Sequence, residues 1–186
     1  MKLVLPLLAL LLCMPLHADE VLRDQVLAGL AKQPQKHFRF VQEKQLAMLD
    51  KPLVTEGELH VNDARRVTWD IRQPYVMRYE IDGDTIREID AQGERVLNAA
   101  GNPLAAALGE AMAAAFSGQW QGKEHLATVA AEGSAASWTL RITPHASALQ
   151  KLLAAIEVQG EQQQILSVQI RESNGDRTLI RLQTLP

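Results

Sequence analysis

The 186-residue chain has a single cysteine, Cys13, and it lies within the first apolar stretch. Beyond that stretch there is no thiol, which excludes disulfides and thiolate chemistry from the body of the protein. Aromatic residues make up only 4% of the sequence, so few large groups are available to fill an interior. The formal charge is −3; removing Lys2 from the 19 basic residues leaves 18 against 22 acids, a balance of −4. No basic excess exists to draw nucleic acid or an anionic membrane surface, and no nucleic-acid partner is expected. After the first, no hydrophobic run is long enough to span a bilayer. G-x-S-x-G, G-x-x-x-x-G-K and G-x-G-x-x-G are all missing. His37, His60, His125 and His145 are scattered, with no second histidine or cysteine at ligand spacing, which predicts no metal site. No residue is nominated as catalytic and no cofactor is expected; the chain reads as a non-enzyme.

What is present begins with an address. Lys2 is followed by the apolar run LVLPLLALLLCMPL and then by LHA, with charges starting at once at Asp19 and Glu20. A short positive region, an apolar core too short to span and a small residue at the cut predict a secretory signal peptide over residues 1–18, cleaved between Ala18 and Asp19. Cys13 follows Leu12, not the small residue a lipid-modified cysteine wants, so it reads as signal filler. Residues 19–186 are expected to form one exported domain.

That domain is dominated by period-two alternation. In RRVTWDIRQPYVMRYEID (65–82), Arg65, Val67, Trp69 and Ile71 share one side, and Tyr75, Met77, Tyr79 and Ile81 share one side of the next run, which starts after Pro74. Such alternation marks strands dry on one face and wet on the other. FRF (38–40), GELHV (57–61), SWTLRIT (137–143), QILSVQIRE (164–172) and RTLIRLQTL (177–185) behave alike, the fourth placing Leu166, Val168 and Ile170 together. Turns are expected at Asp82-Gly83, Gly93 and Asn174-Gly175. ASALQKLLAAIEVQG (146–160) reads as a helical turn at 147–154 running into a short strand. Eight to eleven two-faced strands imply one curved antiparallel sheet, an incomplete barrel of the mainly-β α+β class.

Two helices complete the picture. Residues 19–33 carry apolar groups at 22, 26, 27 and 30 and stop at Pro34. Residues 103–117 form an alanine-rich helix whose stripe is Leu104, Leu108, Met112, Ala115 and Phe116. A buried Leu or Phe stabilises by roughly 1.5–3 kcal/mol and an alanine methyl by nearer 0.8 kcal/mol. A helix of alanines therefore holds the sheet less firmly, as a lid must; the same alanines also suit plain close packing. Asp82-Gly83-Asp84-Thr85 has the wrong spacing for an aspartyl phosphotransfer loop and reads as a hairpin turn. Trp69 and Trp138 read as core, with stacking on a sugar or polyene as the alternative.

The order N-terminal helix, FRFVQ (38–42), GELHV (57–61), VTWDIRQP (67–74), IDGDTI (81–86), ITPHAS (142–147) and SNGDRT (173–178) resembles the LolA-like family of periplasmic carriers of outer-membrane lipoproteins. The resemblance implies an unclosed antiparallel barrel covered by a helical lid, with acyl chains inside. It implies periplasmic transit from an inner-membrane donor to an outer-membrane acceptor, without catalysis. Carried over by position, Phe38, Phe40, Leu59, Val61, Val67, Trp69, Ile71, Met77 and Tyr79 would line the cavity; Trp138 is placed with them. Leu104, Leu108, Met112 and Phe116 would form the lid. The arginine that the family places between the G-x-L strand and the tryptophan falls on Asp63, so Arg65 and Arg66 are the candidate polar contacts. The alternative is an envelope interaction or sensor module with the same fold and no transported lipid.

Overall fold

The structure, a computed structural model, describes residues 16–32, 36–62, 66–83, 85–97, 110–111, 113–145 and 147–186. Helix α1 (Leu16–Ala31) leads into β1 (Lys36–Gln45), β2 (Leu53–Val61), β3 (Arg66–Gln73), β4 (Met77–Asp82), β5 (Thr85–Asp90) and β6 (Gly93–Val96). Helical residues 110–111 and 113–117, here α2, precede β7 (Ala127–Gly133) and β8 (Trp138–Pro144). The short α3 (Ser147–Gln150), β9 (Leu153–Glu161), β10 (Gln164–Glu172) and β11 (Arg177–Thr184) follow. The eleven strands make one open, curved sheet in the order β6-β5-β4-β3-β2-β1-β11-β10-β9-β8-β7. Every neighbouring pair is antiparallel. It is two meanders joined where β1 meets β11.

Alternation becomes burial as expected. Along β1, β2 and β3, Phe38, Phe40, Leu59, Val61, Val67, Trp69 and Ile71 are buried on the concave face, while His37, Arg39, Glu58, His60, Asp70 and Arg72 occupy the other. Two-residue turns close the hairpins at Gly83 (φ 60°) and before Gly93 (φ 130°), and Gly175 (φ 93°) serves the β10–β11 turn. Val26 and Leu30 of α1 and Ala113–Phe116 of α2 complete a single hydrophobic core with the sheet.

Three expectations shift. The segment 146–160 forms one helical turn and then a nine-residue strand, longer than anticipated. In β10 a register shift between Ile165 and Ser167 turns Leu166 outward, 41% exposed, and buries Ile165 instead. A bulge of this kind breaks strict alternation. Strand β4 starts at Met77, which leaves Tyr75 and Val76 exposed before it. Of the expected helix over 103–117, residues 103–109 lie outside the described residues; the remainder is helical apart from Met112, which also lies outside them.

Two local features fix the frame. A Cβ on Gly57 would stand 1.8 Å from the Asp70 carbonyl oxygen, where a bulge sets the β2–β3 register. At the end of α1, the Lys36 ammonium donates to the Leu30 carbonyl at 2.8 Å, a cation at the negative end of a helix. Burial nonetheless lowers the Lys36 pKa from 10.5 to about 8.

Gly57→Ala is expected to cost about 3 kcal/mol or more in urea unfolding, because backbone on the neighbouring strand must move. For Lys36 the sign follows from proton counting. Between pH 8 and 10.5 the unfolded chain keeps a proton that the folded chain has released, so stability rises with pH through that window. Melting temperatures of the parent and Lys36→Met from pH 7.5 to 10 check this: the parent is expected to gain stability relative to the variant.

Candidate functional site

The concave face is held together by aromatic contacts. Phe40 of β1 lies 4.9 Å from Trp69 of β3 at 51°, and Trp69 meets Phe116 of α2 edge-on at 6.2 Å and 69°. Tilted and edge-on geometries of this kind add to the area that the rings bury. Phe116 is the only large apolar side chain among the described residues of α2; the others in the core are alanines. Gly118, with φ 76°, ends the helix, and a Cβ there would stand 2.7 Å from both the Leu27 carbonyl oxygen and the Leu30 Cβ. The cover is thus anchored to α1 at one end and keyed into the sheet by one ring.

The expected lining residues occupy this face. Phe38, Phe40, Leu59, Val61, Val67, Trp69, Ile71 and Trp138 are each between 0 and 6% exposed. A side chain facing a water-sized hollow would keep surface toward it, so in this conformation their neighbours are protein atoms. Met77 and Tyr79 are half-buried against the same core. Trp138 stands apart from the Trp69 group, with five strands between β3 and β8. Its ring lies over Gly160, where a Cβ would meet it at 2.2 Å, and its Nε1 donates to the Gln162 carbonyl at 3.0 Å. Arg66 is exposed and alternates with the inward-facing Val67. Arg65, Leu104, Leu108 and Met112 lie outside the described residues.

Toward β6 the same face turns polar. Glu88 of β5 is buried, pairs with Arg95 of β6 and bonds the Tyr79 hydroxyl. Burial first, and then this carboxylate, push the Tyr79 phenol up to about 12. A cleft of about 1000 Å³ opens elsewhere, between α1, residues 118–124 and β7. Charged Arg23, Asp24 and Lys123 line it beside apolar Leu27 and Trp120, whose buried Nε1 has no hydrogen-bond acceptor.

The outer face carries a cluster that spacing along the chain did not reveal. β1 and β2 pair His37 opposite His60, and the rings stack at 3.9 Å and 20°. Glu58, two residues before His60, places Oε2 3.0 Å from His37 Nε2 and 3.6 Å from His60 Nε2. Its Oε1 accepts from Arg72 of β3 at 2.8 Å. The hydrogen bond from His37 is the main cause holding the Glu58 carboxyl below its usual range. The histidine-to-histidine spacing is long in sequence and short only through strand register.

A family model described as outer membrane lipoprotein carrier protein LolA-like matches residues 16–183. The chain belongs to this family. In structure it is similar to the LolA superfamily protein NE2245 from Nitrosomonas europaea, with a TM-score of 0.47 and 7% identity over 85% of this chain and 90% of that one. It is also similar to a DUF1329 family protein from Desulfovibrio piger, with a TM-score of 0.42 and 13% identity over 86% and 92%. A third is LprF from Mycobacterium bovis, with a TM-score of 0.36 and 9% identity over 89% and 93%. No curated protein sequence matches the chain.

Phe116→Ala removes the one ring that keys α2 into the sheet. It is expected to cost about 3 kcal/mol, to red-shift the emission of Trp69 and to raise binding of a hydrophobic dye. Unchanged stability and unchanged dye binding would show that α2 is held by other contacts.

Proposed function

We propose that the chain is a periplasmic carrier, exported by residues 1–18, that holds acyl chains of lipoproteins or related lipids between the concave sheet and α2 and moves them toward the outer membrane. The observation that carries this reading is the mismatch across that interface. On one side is a broad dry surface built from Phe40, Leu59, Val67 and Trp69; on the other is a helix offering alanines and Phe116. Each alanine methyl contributes near 0.8 kcal/mol against roughly 1.5–3 kcal/mol for a large apolar side chain. A hydrocarbon tail that displaces α2 replaces weak apolar contacts with stronger ones, so the filled interior is the resting arrangement of the carrier. Membership of a carrier family supports the same reading. No helix of the described residues is long and apolar enough to cross a membrane, in keeping with a protein that shuttles between donor and acceptor proteins in the two membranes. The reading assigns no catalysis.

The complete burial of Phe38, Phe40 and Leu59 is also what an envelope interaction or sensor module with a permanently occupied interior would show, and this is the second reading. Mass spectrometry of organic extracts from natively purified protein separates the two. The carrier reading expects a co-purifying apolar molecule and saturable uptake of a fluorescent fatty acid. It also expects Val67→Asp and Ala111→Trp, each judged folded by circular dichroism, to lose that uptake. Empty protein that ignores the probe, together with capture of one dominant envelope protein, would replace it with the second reading.

A further inference from the structure

We propose that His37, Glu58 and His60 form a binding site for a divalent first-row transition ion of the zinc class on the outer face of the sheet. The site is independent of the acyl-chain reading, because its residues alternate with the inward-facing Phe38, Leu59 and Val61 and so face away from the lipid. Three donor atoms, one from each residue, lie within 4.8 Å of one another. Bonds of 2.0–2.2 Å at tetrahedral angles place neighbouring donors about 3.4 Å apart. The Glu58 Oε2 distances of 3.0 Å to His37 Nε2 and 3.6 Å to His60 Nε2 bracket that value. Glu58 Oε2 therefore needs to move by only a few tenths of an ångström, while the two stacked rings tilt apart so that their in-plane lone pairs converge on one ion.

The surroundings prepare the site. Strand register holds His37 directly opposite His60, and stacking keeps the two imidazoles side by side, with both Nε2 atoms on the Glu58 side. Arg72 engages Glu58 Oε1 at 2.8 Å. That contact fixes the carboxylate and leaves Oε2 for the ion, the support that a ligating carboxylate ordinarily receives from an outer partner. Two neutral imidazoles and one carboxylate suit zinc and its neighbours, and exclude calcium and magnesium, which want oxygen-only shells. All three side chains are partly exposed, at 32%, 16% and 36% for His37, Glu58 and His60. The ion enters from solvent, and its fourth position is open to water or to a donor from another molecule. Bound there, it would clamp β1 to β2 on the side opposite the aromatic cluster.

The test uses the untagged mature chain in a non-coordinating buffer. Calorimetric titration with Zn²⁺ is expected to saturate at one ion per chain, and Co²⁺ to give the strong visible absorption of a four-coordinate site. His60→Gln and Glu58→Gln should each weaken binding about tenfold or more, while His145→Gln, on another part of the surface, leaves it unchanged. Failure of the parent protein to saturate with Zn²⁺ overturns the proposal whatever the variants do. So does binding that His60→Gln, with an unchanged circular dichroism spectrum, fails to weaken. Lipid uptake by the same preparations is read separately, so loss of one property does not imply loss of the other.

Discussion

An open sheet with one dry face has to cover that face, and this requirement shapes the rest of the molecule. Closure into a barrel would bury the apolar side against itself. Here β6 and β7 stay apart as the two ends of the strand order, so helices must do the covering. α1 covers the β7 end, where Val26 and Leu30 are buried. α2 covers the centre through alanines and one phenylalanine. Among the described residues the two helices press on the sheet with very different side chains.

The two faces divide the chemistry cleanly. Inside, the central strands carry mostly hydrocarbon and aromatic groups, with Lys36, Thr55 and Thr178 as buried polar exceptions and the Tyr79–Glu88–Arg95 group toward β6. Outside, charged pairs run across strand after strand: Arg181 with Glu43, Arg72 with Glu58, Arg78 with Asp70, and Arg87 with Glu94. Exposed pairs of this sort contribute little stability individually. They do keep the outer face wet, so the alternation has only one dry side to resolve. The histidine cluster belongs to this outer layer and differs from it in supplying nitrogen donors.

Much of the fold was legible because a period of two survives translation into burial. Trp69, Leu59, Leu140 and Ile180 all sit where alternation put them, and the glycine turns at 83 and 175 fall between paired strands. Strand β7, ATVAAEG, passed unnoticed because only Thr128 and Val129 favour a strand and its alanines give little contrast between faces, although Ala127 and Ala131 are buried. Leu166 was misplaced because a bulge carries no local sequence mark. Trp120 lacked a strand context that would have flagged it, and it proves part of the core. The His37–Glu58–His60 group illustrates a general limit. Glu58 and His60 stand two apart on β2 and so share a face, but the third member arrives only through the register of β1 on β2. Of the helix expected over 103–117, residues 103–109, including Leu104 and Leu108, lie outside the described residues, so the stripe read from them stays an expectation.

The seat of Gly118 against α1 has a mechanical corollary. A side chain there would collide with the backbone of that helix, so at this point the two helices touch with nothing between them. With a rise of about 1.5 Å per residue, position 110 sits roughly 12 Å from that contact. That far tip is tethered as well, since the Glu110 carboxylate meets the Lys123 ammonium at 2.6 Å, so the described part of α2 is pinned at both ends and any parting from the floor has to break an ion pair beside the charged cleft.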